Sequence, residues 1–146
     1  MYSLSIIVFA GIAAVTDIRT KRISNKLILL MFASWLALIA FDFLSNSAAA
    51  TLKVADSALG ALVGGGIFLA VYFISKKGLG GGDVKFMAAA GLYLGLAGTM
   101  PAILYGSILA ALVGFGLVAL KKISRKDTLP LAPFLLAGIV ITVLLP

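Results

Sequence analysis

Long apolar runs broken by short polar stretches make up nearly the whole chain. In order, the runs cover roughly 4–16, 25–44, 56–75, 84–98, 102–120 and 131–145. Several approach or reach the ~20 residues that a helix needs to cross a hydrocarbon core. The pattern predicts an all-α membrane protein of about six transmembrane helices, forming one polytopic domain over residues 1–146. A polar loop is expected at 17–26, a small-residue turn at 45–51, a glycine-rich loop at 78–85 and a basic loop at 121–127. Thr99-Met100-Pro101 reads as a tight turn, because proline suits the first turn of a new helix. Gly60 and Gly64, Gly91 and Gly95, and the stripe Gly106, Ala110 and Gly114 carry the four-residue small spacing that lets helices pack closely in lipid. The first run has no basic residue before it and several after it, the wrong polarity for a secretory signal. It reads as a transmembrane helix.

Charge adds direction to this pattern. The 146 residues are 62% hydrophobic and 12% charged, about half the charge of an ordinary soluble domain. The net charge of +7 would suit nucleic acid in a soluble protein. In a membrane protein it marks cytoplasmic loops and contact with anionic lipid, so no nucleic-acid partner is expected. With six segments and the N-terminus outside, all of the 12 basic residues except Lys53 fall in the loops 17–26, 76–85 and 121–128. The positive-inside rule then assigns those loops to the cytoplasm of a multi-pass cytoplasmic (inner) membrane protein.

The chain has no Cys, His or Glu, and its acids are Asp17, Asp42, Asp56, Asp83 and Asp127. Disulfides, cysteine-rich zinc sites and Ser–His or Cys nucleophile arrangements are excluded, and no metal or cofactor is expected. If the protein is an enzyme, acid–base chemistry must fall to aspartate, with Lys, Tyr or Ser as the available partners. Asp17 ends the first segment and Asp83 begins the fourth, so both lie at the cytoplasmic boundary although they are far apart in sequence. Two carboxylates held close together do not both ionise easily; one keeps a proton while the other stays charged. Such a pair suits peptide hydrolysis. Asp42 and Asp56 fall on the outer side, and Asp127 shares its loop with Arg125 and Lys126, where charge balance is its role. The plainer readings are that Asp83 caps the fourth helix, that Asp17 pairs with Arg19 or Arg22, and that Gly80, Gly81 and Gly82 form a simple connector. Trp35 and the tyrosines read as packing or interface anchors.

Gly80-Gly81-Gly82-Asp83 resembles the Gly-x-Gly-Asp motif of membrane aspartic proteases, and the longer Gly-Gly-Gly-Asp-Val-Lys the version found in type IV prepilin peptidases. Asp17-Ile-Arg-Thr-Lys-Arg-Ile-Ser-Asn is similar to that family's first-aspartate motif, and Leu129-Pro130-Leu131-Ala132-Pro133-Phe134 to its proline-rich motif before the last helix. The resemblance implies a membrane aspartic endopeptidase that removes the leader from type IV or Flp-type prepilins at the cytoplasmic face, with Asp17 and Asp83 as the catalytic pair. Gly80, Gly81, Gly82, Lys85 and Asn25 are the expected positioning residues, and prepilins and membrane lipids the expected partners. Ser24 stands where the family usually has proline. The long family members carry paired Cys-x-x-Cys motifs and N-methylate the new pilin terminus. Without any cysteine, this chain is expected to resemble the short form of tight-adherence pilus systems and to lack N-methyltransferase activity.

Two rival readings use the same residues. A presenilin-like intramembrane protease shares Gly-x-Gly-Asp, but its first aspartate usually follows tyrosine within a helix, whereas Thr16 precedes Asp17 here. A small transporter relaying protons or cations through Asp17 and Asp83 would hold its site nearer the bilayer midplane.

Overall fold

In lipid a backbone must satisfy its own hydrogen bonds, so uncharged apolar runs of this length fold as helices. The computed structural model describes residues 1–75, 79–121 and 130–145, and every element among them is helical. The helices are α1 (Tyr2–Thr20), α2 (Asn25–Ser45), α3 (Ser47–Ile74), α4 (Gly81–Ala119) and α5 (Ala132–Leu144). The first four are each long and apolar enough to cross a membrane, and α5 is a shorter apolar helix. Large apolar side chains such as Leu4, Val8, Leu62 and Leu112 face outward, as they do in a multi-pass membrane protein surrounded by acyl chains. Lys76, Lys77 and Gly78, and the expected loop with Lys122, Arg125, Lys126 and Asp127, lie outside the described residues.

α4 departs from the expected segmentation. A straight helix of its 39 residues would be about 58 Å long, nearly twice the ~30 Å core of a bilayer. It does not run straight: Gly95 has φ 65° and ψ −176°, a combination open essentially to glycine alone. A Cβ built on Gly64 of α3 would lie 2.7 Å from the Met87 carbonyl oxygen and 3.1 Å from Thr99 Cγ2. Those two residues would be about 18 Å apart along one straight helix. The chain therefore folds back at Gly95, and 81–94 and 96–119 form two limbs. The expected turn at Thr99-Met100-Pro101 is thus corrected: Pro101 lies inside the second limb.

The reason for the earlier turn lies in another helix. Asp56 of α3 accepts the Leu96 backbone N–H at 3.0 Å, serving as a cap supplied from outside the helix that it caps. The expected turn over 45–51 is also shorter than its composition suggests. Asn46 alone ends α2 and begins α3, its side chain accepting the Ala49 N–H.

The glycine spacings form the main seam of the fold. Gly60 packs against Gly91 and Gly95 so closely that a Cβ on Gly60 or Gly91 would overlap the opposing backbone. On the second limb, Gly106 packs against Leu135 and the Phe134 carbonyl of α5, and Gly138 returns the contact. Trp35 is buried and donates Nε1–H to Ser57 across the α2–α3 interface at 3.4 Å. At one end of the bundle, Tyr2 and Lys53 both donate to Asp42, at 2.9 and 3.1 Å. The Lys53 ammonium sits 3.7 Å from the Tyr2 ring centroid. This cluster joins the start of α1 to the end of α2 and the start of α3; both expected catalytic carboxylates lie at the other end.

Candidate active site

The position of each carboxylate follows from helical periodicity. On α1 the buried residues are Ile6, Ala10, Ala13, Ala14 and Asp17, one stripe at three- and four-residue spacing that carries Asp17 inward as its last member. On the first limb of α4, Phe86, Met87 and Ala90 are buried, and Asp83 heads that stripe at the same spacing. α1 packs against both α4 and α5. Asp17 and Asp83 then line a single pocket of about 360 Å³, together with Lys21, Arg22, Ile23, Asn25 and the three glycines Gly80, Gly81 and Gly82.

Asp17 is 6% exposed and holds two elements together. Its backbone carbonyl accepts the Lys21 N–H at 2.8 Å, closing α1 where Lys21 turns into the left-handed region. Its Oδ2 accepts the Ala132 N–H at 3.0 Å. Ala132 is the first residue of α5, whose N-cap Leu131 offers no side-chain cap. The opening amides of α5 are thereby accounted for: Ala132 bonds Asp17, Pro133 has no N–H, and those of Phe134 and Leu135 reach the Leu131 carbonyl. A carboxylate at the end of α1 opposes that helix's dipole, but here it also meets the positive end of α5. The alternative of an Arg19 or Arg22 ion pair does not occur, since the salt bridge found among the described residues is Lys53–Asp42.

Asp83 is not the cap of α4. Gly80 occupies the N-cap, and Asp83 lies in the first helical turn, its N–H bonded to the Gly80 carbonyl at 3.0 Å. Its Oδ1 is buried without a hydrogen-bond partner, a costly state for a carboxylate oxygen unless chemistry or solvent uses it. The glycine stretch is also less of a loop than its composition suggests, because Gly81 and Gly82 are already helical. None of the three needs a positive φ. A Cβ on Gly80 would lie 3.0 Å from Asp83 Oδ2, one on Gly82 would crowd Ile23, and one on Gly81 would meet nothing. Gly80 keeps the ground beside Asp83 clear, Gly82 makes room for Ile23, and Gly81 opens onto the pocket.

Lys85 and Asn25 are brought together, with Lys85 Nζ donating to Asn25 Oδ1 at 3.2 Å. Ser24 takes up the N-cap of α2, its Oγ accepting the Lys26 N–H at 3.2 Å. Reading the sequence did not single out Lys21, Arg22 and Ile23 as pocket walls, nor the Ala132 amide as a partner of Asp17. The only signal for that amide was the proline after it, which marks a helix start. No group of residues suited to holding a metal ion occurs among the described residues.

Comparison with known proteins finds relatives of one kind. The prepilin leader peptidase/N-methyltransferase of Bacillus subtilis strain 168 is 34% identical over 137 residues, covering 91% of this chain and 51% of the relative. The enzyme of the same name from Escherichia coli K12 is 32% identical over 126 residues, 83% of this chain and 51% of the relative. The leader peptidase HopD of Escherichia coli is 38% identical over 92 residues, 58% of this chain and 59% of the relative. The chain thus spans about half the length of the curated relatives that it matches. No solved structure matches it. Residues 4–115, a span that contains both pocket aspartates and the glycine run between them, match the type IV leader peptidase family, to which this chain belongs.

Proposed function

We propose that this protein is an aspartic endopeptidase that removes the leader from type IV or Flp-type prepilins at the cytoplasmic face of the inner membrane. The observation that carries the reading is the shared pocket of Asp17 and Asp83, two carboxylates contributed by separate helices at one end of an apolar bundle. The basic residues Lys21 and Arg22 line the same end, which supports a cytoplasmic setting by the positive-inside rule.

Two carboxylates in one partly enclosed pocket share a proton more readily than they both ionise. The ionised member takes a proton from a water molecule, whose oxygen then adds to the scissile carbonyl carbon. The protonated member donates to the carbonyl oxygen, and collapse of the tetrahedral species expels the amine, which leaves with a proton from the pair. No covalent enzyme intermediate is required. Gly80, Gly81 and Gly82 leave room for an extended substrate backbone, while Lys85 and Asn25 stand at the pocket's edge as positioning groups. The proposal covers cleavage alone, since the paired cysteines associated with methyl transfer have no counterpart in this sequence.

The test is cleavage of a co-expressed prepilin by the wild type, Asp17→Asn, Asp83→Asn and Asp127→Asn at matched membrane levels. Loss of cleavage in the first two variants and retention in the third is the expected result. Normal processing by either pocket variant would sink the two-aspartate mechanism.

A further inference from the structure

A second cavity, of about 590 Å³, adjoins the aspartate pocket, within the roughly 300–1,000 Å³ usual for ligand clefts. It lies between α2, α3 and the 81–94 limb, and its two long walls have the same construction. On α2 the stripe is Asn25, Ile28, Leu29 and Phe32; on α4 it is Lys85, Ala88, Ala89 and Leu92. Each follows the i, i+3, i+4, i+7 spacing of one helix face, and each is polar only at its first member. Those two members are the hydrogen-bonded pair Asn25 and Lys85. Asn25 also lines the aspartate pocket, so groove and pocket meet at this pair.

We propose that the groove binds an apolar helical segment of the polypeptide being cleaved, received sideways from the lipid, with the bond to be cut beyond the Asn25–Lys85 end. This rests on the peptidase reading above. An occupant matching the lining must be apolar along its length and polar at the end that enters the pocket. The small residues Ala61, Ala88 and Ala89 let a helix approach closely, as small residues do at helix contacts in lipid. A peptide bond can be attacked only after its helix locally unwinds, which leaves backbone carbonyls without partners in a setting where that is costly. Donors are available at that level: the Lys85 ammonium, and the Asn25 amide NH₂, since Asn25 Oδ1 is engaged by Lys85. The paired groups thus hold the unwound stretch between groove and pocket.

A photoreactive benzoylphenylalanine at position 32, in an Asp83→Asn background that leaves the substrate uncut, tests the contact directly. The expected result is a crosslink to the apolar segment of a co-expressed prepilin, absent when the probe replaces Leu112 on the outward face of the 96–119 limb. Crosslinks to lipid alone, or equal capture from both positions, would overturn the proposal. A second measurement compares wild type and Ala61→Leu on a prepilin and on a soluble peptide that carries only the leader junction. Filling the groove should shrink the kcat/KM advantage of the prepilin over the peptide by about tenfold or more; an unchanged ratio would overturn it. Wild-type failure on both substrates would instead remove the peptidase reading, and the groove assignment with it.

Discussion

Individual aspartates do different work in this protein, and what surrounds each separates them. Asp56 is a helix cap delivered across the α3–α4 interface, holding the Leu96 N–H beside a glycine that carries the reversal. Asp56→Ala should cost about 1–2 kcal/mol of stability, read as a lower unfolding midpoint in detergent. Asp56→Asn, which caps equally well, should recover most of it. Asp42 lies in the cluster with Tyr2 and Lys53 at the end remote from the pocket. Asp42→Asn is therefore expected to leave prepilin cleavage at the wild-type level in the membrane assay. The sequence made Asp17 and Asp83 visible as a pair because both flank apolar runs beside basic or glycine-rich stretches. It could not show that Asp17 holds a backbone amide 115 positions away, because a backbone partner leaves no residue-type signature.

α3 and α4 meet through backbone at their glycine seam. The Gly60–Gly91 contact admits no Cβ on either side, so Gly60→Ala or Gly91→Ala must push α3 and α4 apart. Overpacking of this kind costs typically about 1–3 kcal/mol, and each variant should show a lowered unfolding midpoint or reduced accumulation in the membrane. Gly81→Ala is the contrasting case: its Cβ meets nothing, and that variant should fold like the wild type by the same measurement. The four-residue glycine spacing was legible as a packing device, but its partner was not. Nor did local pattern locate the reversal within α4. Pro101 is the stronger local signal for a turn, yet the cap that fixes the break at Gly95 comes from α3 and is invisible to any window of neighbouring residues.

Among the described residues, two charged clusters lie at opposite ends: Tyr2–Asp42–Lys53 at one, and the pocket with Lys21, Arg22 and Lys85 at the other. The absence of cysteine makes the proposed orientation easy to test with single introduced thiols. Asn46→Cys should react with a membrane-impermeant maleimide in intact cells, and Ser75→Cys only after the membrane is permeabilised; the reverse pattern would invert the topology. That the apolar runs form helices was readable from order alone, whereas the pocket required knowing which helix faces meet. The bond from Ala132 to Asp17 also bears on the timing of synthesis. A nascent chain that has inserted only α1 to α4 already possesses both pocket aspartates, but Asp17 still lacks the amide that holds its Oδ2. The geometry of the proposed pair is thus completed only when α5 arrives.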